Sequence, residues 1–387
     1  MQRDDTPYLL VDDDRLRRNI ERLAEWAADH GLRVRPHAKT HKCAQVAARQ
    51  LDAGATGLTV ATIGEAEAFA DAGFTDLFIA YPLWPSESKA TRLRALADRA
   101  ALRVGIDSVA GARQLAARLR GAPVDVVVEV DSGMRRTGVV PEEAGAVAAA
   151  ARDAGLSVIG VFTFPGHGYG PGSARVDAAR QELQALAAAA ESLRRAGIEP
   201  RVVSGGSTPT VAFADGGVLT EVRPGVYPFN DAQQLELGSC DADRIALVAM
   251  ATVVSVERPP TDPDSPITEP GSPLPDPSSP TPEPGSPIPE PRRRVVLDAG
   301  SKILGADRPG WASGFGRLLD HPEARIVSLS EHHAVVEFPG SGIPELGALV
   351  RVVPNHVCTA VNLADELIAE TAHGLERWPV IARGANR

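Results

Sequence analysis

Cysteine, long apolar runs and an excess of positive charge are all lacking in this sequence of 387 residues. The three cysteines are irregularly spaced, which argues against a disulfide framework and is typical of a reducing cytoplasm. No stretch approaches the roughly 18 uninterrupted apolar residues of a membrane-spanning helix, and the first residues lack the apolar core and cleavage site of a signal peptide. The net charge of −10 argues against nucleic acid or an anionic membrane as a partner. We therefore expect a cytoplasmic globular protein.

Short runs rich in Val and Ile alternate with longer Ala-, Leu- and Arg-rich segments of helical spacing over residues 8–230. Strands that alternate with helices imply parallel βαβ units. Eight repeats favour a closed (β/α)8 TIM-type barrel over an open doubly wound sheet. The predicted strands are 33–38, 57–60, 76–81, 102–106, 124–130, 157–163, 201–204 and 220–223.

The C-terminal part of the chain has a different pattern, with β-rich runs such as RRRVVLDAG and GALVRVVPNHVC joined by short connections. At roughly 150 residues per domain, the length also suggests two domains. We predict an α/β protein, with a barrel over 8–235 followed by a mainly β C-terminal domain over 236–387. The first few residues of the chain can belong to the second domain.

A segment of low complexity, residues 258–292, holds fourteen of the 32 prolines. It has little apolar surface and few backbone N–H donors, so it cannot pack as a core. We predict a disordered, extended, partly polyproline-II insert. A tolerated loop insertion explains it more simply than a partner-binding motif.

The motif RPHAKTHK, residues 35–42, ends the first predicted strand. If the strand persists, His37, Lys39 and His41 point to the same side. A lysine at the carboxyl end of a barrel strand faces the usual catalytic mouth, and a partly desolvated lysine can attack an aldehyde. The alternative is an ordinary surface lysine.

Two glycine-rich turns, SGGSTPT at 204–210 and EVRPGVYPFND at 221–231, follow the seventh and eighth predicted strands. Barrels often bind phosphate with these two loops, because glycine lets backbone N–H groups approach an anion and a following helix N-terminus favours it. The alternative is that both turns only reverse the chain.

Two further motifs are candidates for the same mouth. DSGMRRTGV, residues 131–139, contains two arginines that could stabilise an anionic oxygen in the mouth. The alternative is that they are an ordinary surface arginine pair. In PNHVC, His356 and Cys358 are one residue apart and would face one side of a strand, with a zinc-like donor set. Two ligands could form only an open site, and a buried cysteine can equally be a small apolar residue.

Together these motifs resemble the fold-type III pyridoxal-phosphate enzymes, whose barrel is shared with alanine racemase. The closer resemblance is to the D-serine dehydratase and D-threonine aldolase group. The matching segments run from one end of the chain to the other: TPYLLVD, RPHAKTHK, GEAEAF, SGMRRTGV, SGGSTPT, EVRPGVYPFND, PNHVCTAVNL and WPVIARG. Only the proline-rich insert stands apart.

The resemblance implies roles for individual residues. Lys39 would hold the cofactor as a Schiff base, and His167 would contact cofactor or substrate. Arg136 would lie near the cofactor's phenolic oxygen and Arg223 near its pyridine nitrogen, while Tyr227 and Asp231 would be at the site without an assigned role. Residues of the two glycine-rich turns would surround the phosphate: Ser204, Gly205, Gly206, Ser207, Gly225 and Val226. His356 and Cys358 would bind the metal.

The metal pair bears on the reaction. In this group, a His-x-Asp pattern resembles the aldolases, with a manganese-type ion, and a His-x-Cys pattern resembles the dehydratases, with zinc. This chain has His-x-Cys, and a thiolate suits zinc better than a harder ion. We therefore expect a zinc-dependent dehydratase that acts on a D-amino acid with a β-hydroxyl, such as D-serine or D-threonine. Lys39 would remove the α-proton, and zinc would bind the β-hydroxyl as a Lewis acid. The products would be a 2-oxo acid and ammonia.

Other functions remain open. Retro-aldol cleavage to glycine and an aldehyde would use the same cofactor and metal, with manganese as the alternative ion. Amino-acid racemisation would need a second base and no metal, so the His-x-Cys pair argues against it. A non-catalytic pyridoxal-phosphate carrier or a cofactor-free binding barrel would not need the second domain. The family also implies a homodimer.

Overall fold

The computed structural model describes residues 5–257, 293–340 and 342–387. The predicted disordered insert at 258–292 lies outside the described residues. Among the described helices, none combines the length and the apolar character needed to cross a membrane.

The chain starts with strand β1 (Tyr8–Asp12), which belongs to a C-terminal sheet, and then forms a barrel of eight parallel strands. The sheet order is β2-β9-β8-β7-β6-β5-β4-β3, and a parallel bridge between His37 and Thr59 joins its two edges. The barrel strands are β2 (Arg33–Val34), β3 (Leu58–Val60), β4 (Asp76–Pro82), β5 (Ala101–Ile106), β6 (Val124–Glu129), β7 (Ser157–Phe162), β8 (Val202–Gly205) and β9 (Glu221–Val222).

Helices cover the outside of the barrel, which is why its strands are apolar on both faces. Val126, Val127 and Val128 of β6, for example, are each 0% exposed. Several helices begin at a capping residue, such as Thr62, whose side chain accepts from the N–H of Glu65. The helices are α1 (Asp13–Asp29), α2 (Ala44–Asp52), α3 (Ile63–Asp71), α4 (Glu87–Ala97), α5 (Val109–Leu119), α6 (Ala144–Asp153), α7 (Ala174–Arg195) and α8 (Ala232–Glu236).

Short 3-10 turns interrupt the loops of the barrel and of its junction with the C-terminal part. Two of them, Ala38–Thr40 and Gly166–Gly168, carry the candidate site residues Lys39 and His167. The others are Pro141–Glu143, Val211–Phe213 and Ala242–Arg244.

The C-terminal part is mainly β, as predicted. Its nine-stranded sheet includes β1, which pairs antiparallel with β10 and parallel with β16. The elements are β10 (Leu247–Val256), β11 (Arg293–Leu297), α9 (Ser301–Leu304), β12 (Gly316–Leu318), β13 (Arg325–Leu329), β14 (Ala334–Phe338), β15 (Leu349–Pro354), α10 (Val357–Leu363), β16 (Glu366–Thr371) and β17 (Gly374–Pro379).

The predicted fold class, a TIM-type barrel followed by a mainly β domain, is confirmed. One boundary matters for the site, because the first barrel strand ends at Val34 instead of residue 38. Pro36 has no N–H to donate to a strand ladder, and the chain turns into the 3-10 helix Ala38–Thr40.

Candidate active site

A cavity of about 430 Å³ lies where the carboxyl ends of the barrel strands meet the β domain. Both parts of the chain contribute charged or nucleophilic side chains to its wall. The charged or nucleophilic residues of the wall include Lys39, Ser207, Arg223, Arg308, His356 and Cys358.

Lys39 is presented by a tight turn, not by a strand. His37 caps the 3-10 helix Ala38–Thr40, and its Nδ1 accepts from the N–H of Lys39 at 3.4 Å. His37 and Lys39 both line the cavity. Burial and the nearby Lys39 hold the pKa of His37 well below its ordinary value, so this imidazole is neutral at pH 7.

The expectation that His41 points to the same side as His37 and Lys39 is wrong, because the first barrel strand ends at Val34. His41 is fully buried, and its Nε2 lies 3.2 Å from Gln50 Oε1 behind the turn. Burial lowers the pKa of His41 to about 4, so it too is neutral at pH 7.

Phe164 connects Lys39 with Arg136. The Lys39 Nζ lies 5.5 Å from the centre of the Phe164 ring, and the Arg136 guanidinium carbon lies 5.4 Å from it. Arg136 lines a small recess beside the main cavity together with Glu129. Burial raises the pKa of Glu129, against the effect of the Thr137 hydroxyl and of Arg136.

The turn Ser204–Ser207 presents one of its four residues to the main cavity, Ser207. Ser204 Oγ is engaged below, where it donates to Glu221 Oε1 at 2.8 Å and accepts from Arg223 Nε at 2.8 Å. The N–H of Gly206 donates to Glu182 Oε1 at 2.7 Å. Burial raises the pKa of Glu182, a residue that the sequence analysis missed, to about 7.

The second glycine-rich turn lies against the lysine turn. Gly225 and Val226 line the cavity, and a Cβ on Gly225 would come 2.8 Å from Thr40 Oγ1, so only glycine fits there. The N–H groups of Val226 and Tyr227 donate to Thr208 Oγ1. The Tyr227 hydroxyl accepts from Gln50 at 3.1 Å, behind the turn.

Arg223 forms the inner wall of the cavity. Its guanidinium lies over the rings of Phe78 and Phe162, and it donates to Ser204 Oγ and to the carbonyl of Thr163. The side chain is 5% exposed. Its position is therefore fixed from the barrel interior.

His356 and Cys358 face the cavity from the start of α10. The expectation that they share a strand is wrong, because β15 ends at Pro354 and His356 is the N-cap residue of the helix. The first helical turn brings them together instead. The Cys358 thiol donates to Thr40 Oγ1 at 3.2 Å, beside the lysine turn.

Asp231, a fully buried barrel residue, supports the start of α10. Its Oδ1 accepts from the N–H of Gln234 at 3.0 Å, and its Oδ2 accepts from the N–H of Val357 at 3.1 Å. Oδ2 also lies 3.6 Å from His356 Nδ1, a buried atom without a hydrogen bond among the described residues. The carboxylate is therefore within ion-pair range of the ring nitrogen, the position that a carboxylate commonly takes behind a metal-bound histidine.

His356 and Cys358 shift one another's protonation. Burial raises the pKa of the Cys358 thiol, but His356, aided by Lys39 and Thr40, brings it below its ordinary value. Cys358 in turn raises the pKa of His356 well above its ordinary value, with help from Asp231 and against burial. Each group thus favours the charged form of the other. A metal ion, which needs a thiolate and a neutral imidazole, would displace any proton that either group holds.

Within residues 5–257, 293–340 and 342–387, no three or more His, Cys, Asp or Glu side chains are grouped to hold a metal ion. A site built on His356 and Cys358 would thus leave coordination positions for water or substrate. Such positions distinguish catalytic from closed structural zinc sites.

His167 lies outside the main cavity wall. It sits on the 3-10 turn Gly166–Gly168, and its Nε2 lies 2.9 Å from Gln181 Oε1 on α7. Gly166 and Tyr169 of the same loop line the cavity, whereas the His167 side chain is engaged with α7.

Asp307, Arg308 and Phe164 line the cavity but were missed in the sequence. Asp307 accepts from the Thr359 hydroxyl, whereas the Arg308 guanidinium lies over the Phe315 ring at 5.2 Å. Asp307 and Arg308 come from a loop of the β domain whose composition carries no signal. Phe164 is the first residue of the segment FPGHGY, from which only His167 was selected as a candidate.

Family models match most of the chain. Residues 11–232 match the family described as "Alanine racemase, N-terminal domain". Residues 288–369 match the family described as "Putative serine dehydratase domain". The two matches correspond to the barrel and to part of the β domain.

Curated relatives match over nearly the whole length. The chain is 32% identical to a D-threonine aldolase of Arthrobacter sp. over 100% of this chain and 95% of the relative. It is 34% identical to the D-threo-3-hydroxyaspartate dehydratase of Delftia sp. over 92% of this chain and 91% of the relative. Solved structures of that dehydratase align with a TM-score of 0.81 at 30% identity over 97% of both chains, and one of them is a metal-free form.

Proposed function

This chain belongs to the alanine racemase-like family of fold-type III pyridoxal-phosphate lyases, and we propose that it is a zinc-dependent dehydratase of a D-β-hydroxy amino acid. The products would be a 2-oxo acid and ammonia. The observation that carries this proposal is the His356–Cys358 pair, which lines the same cavity as Lys39.

The cavity suits pyridoxal phosphate. Lys39 supplies an amine at the mouth, Ser207 supplies a hydroxyl, and Gly225 lines the wall without a side chain. The N–H groups of Gly206 and Val226 already have partners in the protein. We therefore assign the phosphate to Ser207, Gly225 and the hydroxyls around them.

The donor set suits a soft divalent ion. A thiolate and an imidazole are zinc ligands, and a hard oxygen-seeking ion would prefer a carboxylate to Cys358. Asp231 holds the His356 ring as a carboxylate commonly does behind a metal-bound histidine. The metal-free form named for the Delftia dehydratase supports a metal in this family.

When bound, pyridoxal phosphate supplies an electron sink for the α-carbon, and zinc supplies a Lewis acid at the β-oxygen. The protein supplies the remaining groups. The Lys39 amine removes the α-proton, and the neutral His37 beside it adds no positive charge to that side of the wall. His356 and Cys358 would hold the metal, so removal of the α-proton and departure of the hydroxyl would be served by different side chains of one cavity.

Arg308 is the group that would receive the substrate carboxylate. Arg223, the other guanidinium of the wall, is held by Ser204 and Thr163 inside the barrel. Arg308 is exposed, and it forms no ion pair within the described part of the chain. A guanidinium binds a carboxylate through two parallel hydrogen bonds.

Zinc dependence of ammonia release tests the proposal. Purified protein is loaded with pyridoxal phosphate, stripped of metal with a chelator and given D-threonine, with L-threonine as control. We expect ammonia from the D-isomer only, and a rate that falls on stripping and returns with zinc. Equal rates with and without zinc would refute the role of the metal pair.

Retro-aldol cleavage is the second candidate. The match to the Arthrobacter D-threonine aldolase over 100% of this chain favours it, and the same cavity can serve it. In that reaction the β-hydroxyl loses a proton instead of leaving. Glycine and acetaldehyde from D-threonine would identify it.

A further inference from the structure

Three polar residues without a role in the proposed reaction meet in one buried cluster: Lys42, Glu65 and Asn362. They come from three motifs, RPHAKTHK, GEAEAF and PNHVCTAVNL. Lys42 Nζ lies 3.2 Å from Glu65 Oε1 and donates to Asn362 Oδ1 at 2.6 Å. Lys42 and Glu65 are 4% and 2% exposed.

On the barrel side, the cluster is tied to the turn that carries Lys39. The N–H of Lys42 donates to the carbonyl of Ala38 at 2.8 Å, which closes the turn Ala38–Thr40. The Lys42 backbone has φ +47°, a conformation rare for a side-chain-bearing residue. Glu65 lies in the first turn of α3, where its Oε2 accepts from the N–H of Ala61 at 2.6 Å.

On the other side, Asn362 lies in the last turn of α10, the helix whose first turn carries Cys358. The start of α10 is held to the barrel by Asp231 through the N–H of Val357. The end of α10 is held to the barrel by the ammonium of Lys42. The helix is thus fastened at both ends to the barrel, which carries the other reacting group.

We propose that Lys42, Glu65 and Asn362 form a clamp that sets the separation between the Lys39 amine and the metal pair. This inference rests on the proposed function. The α-carbon and the β-oxygen of the substrate are two bonds apart, so the two groups must be held to a fraction of an ångström. A buried ion pair adds little net stability, because desolvation offsets its attraction; the contribution of this one is geometric, and its members are positioning residues.

Two glutamates on α3 provide a matched comparison. Glu65→Gln removes the charge inside the clamp and keeps an acceptor for the N–H of Ala61. Glu67→Gln removes the charge that pairs with Arg92 at 2.5 Å on the outer face of the same helix. Lys42→Met and Asn362→Leu change the other two members of the clamp. If one variant fails to fold, the remaining variants still test the inference.

Four experiments are made on each variant. They measure zinc affinity by chelator competition, absorbance of bound pyridoxal phosphate, kcat and KM for D-threonine, and the alkylation rate of Cys358 in metal-free protein by peptide mass spectrometry. For Glu65→Gln, Lys42→Met and Asn362→Leu we expect about a tenfold loss of zinc affinity. We also expect kcat to fall by a similar factor, KM and cofactor absorbance to stay near wild type, and Cys358 to be alkylated faster. Glu67→Gln should match wild type in every readout.

Wild-type zinc affinity, kcat and alkylation rate in the clamp variants would overturn the inference. A parallel loss in Glu67→Gln would also overturn it, because the effect would then follow general destabilisation. The alkylation rate needs no turnover. If the wild type shows no lyase activity but the clamp variants still expose Cys358, the proposed function fails while the clamp stands.

Discussion

Replacing Asp231 with asparagine tests how the metal pair is supported. The carboxylate is 0% exposed and meets three nitrogen atoms: the N–H of Gln234 at 3.0 Å, the N–H of Val357 at 3.1 Å and His356 Nδ1 at 3.6 Å. Asparagine has one acceptor oxygen and a donor amide, so at least one of these N–H groups loses its acceptor.

The size of the effect follows from burial. A buried donor left without an acceptor costs about 1–3 kcal/mol, and we expect that loss in the free energy of unfolding. Removal of the carboxylate behind a metal-bound histidine lowers metal affinity by roughly 10- to 100-fold. We expect both losses in Asp231→Asn, since one side chain makes both contacts.

Urea denaturation measures the first loss, and chelator competition with zinc measures the second. Asp241→Asn is the control, because Asp241 follows α8 closely in sequence but is exposed. Zinc affinity within twofold of wild type in Asp231→Asn would refute the reasoning, whatever the change in stability.

Three further predictions concern other groups of the site. Cys358→Ala should lose zinc and release ammonia from D-threonine about a hundredfold more slowly, while the absorbance of bound cofactor stays; an unchanged rate would contradict the metal role. Arg308→Gln should raise KM for D-threonine about tenfold or more with little change in kcat, whereas Arg325→Gln, in the neighbouring cavity, should leave KM unchanged; equal effects would exclude Arg308 as the carboxylate site. Burial raises the pKa of Glu182 from 4.5 to about 7, so the native state binds more protons than the unfolded state, and the stabilisation present below pH 4.5 is lost as pH rises to 7. Wild type should therefore lose about 3 kcal/mol of unfolding free energy relative to Glu182→Gln across that window; parallel pH profiles would refute it.

The alternation of apolar runs and helical segments was sufficient to predict most of the barrel. Eight apolar runs were located to within a few residues because parallel strands covered on both sides are continuously apolar. The first strand was overextended because RPHAKTHK was treated as one strand although Pro36 cannot donate to a ladder. That error changed the reason why His37 and Lys39 share the cavity, and it placed His41 on the wrong side.

For His356 and Cys358, too, the sequence predicted the candidate residues but not the local structure that presents them. Residue types and spacing identified His356 and Cys358 as candidates, but strand alternation was the wrong reason. They face the cavity because Pro354 ends β15 and a helix begins at once. Asp231 contacts Gln234, three residues away, and His356, 125 residues away. The spacing of residues in a motif cannot predict the second contact.

Contacts between the two parts of the chain were the least predictable. Arg308 reaches the barrel mouth from a β-domain loop, and Asn362 reaches Lys42 from the end of α10. Within the barrel, Glu182 of α7 likewise accepts from the N–H of Gly206, which follows β8. Each is an ordinary polar residue in the sequence, and its role depends on packing between elements distant along the chain.

The most direct test of the central claim is the identity of the products formed from D-threonine. Purified protein with pyridoxal phosphate and zinc is incubated with D-threonine, and 2-oxobutanoate, ammonia, glycine and acetaldehyde are quantified, with L-threonine and Lys39→Ala as controls. We expect equal amounts of 2-oxobutanoate and ammonia from the D-isomer with wild-type protein, and neither from the controls. Glycine and acetaldehyde in equal amounts would contradict the account, and would mean that Cys358 does not decide the reaction.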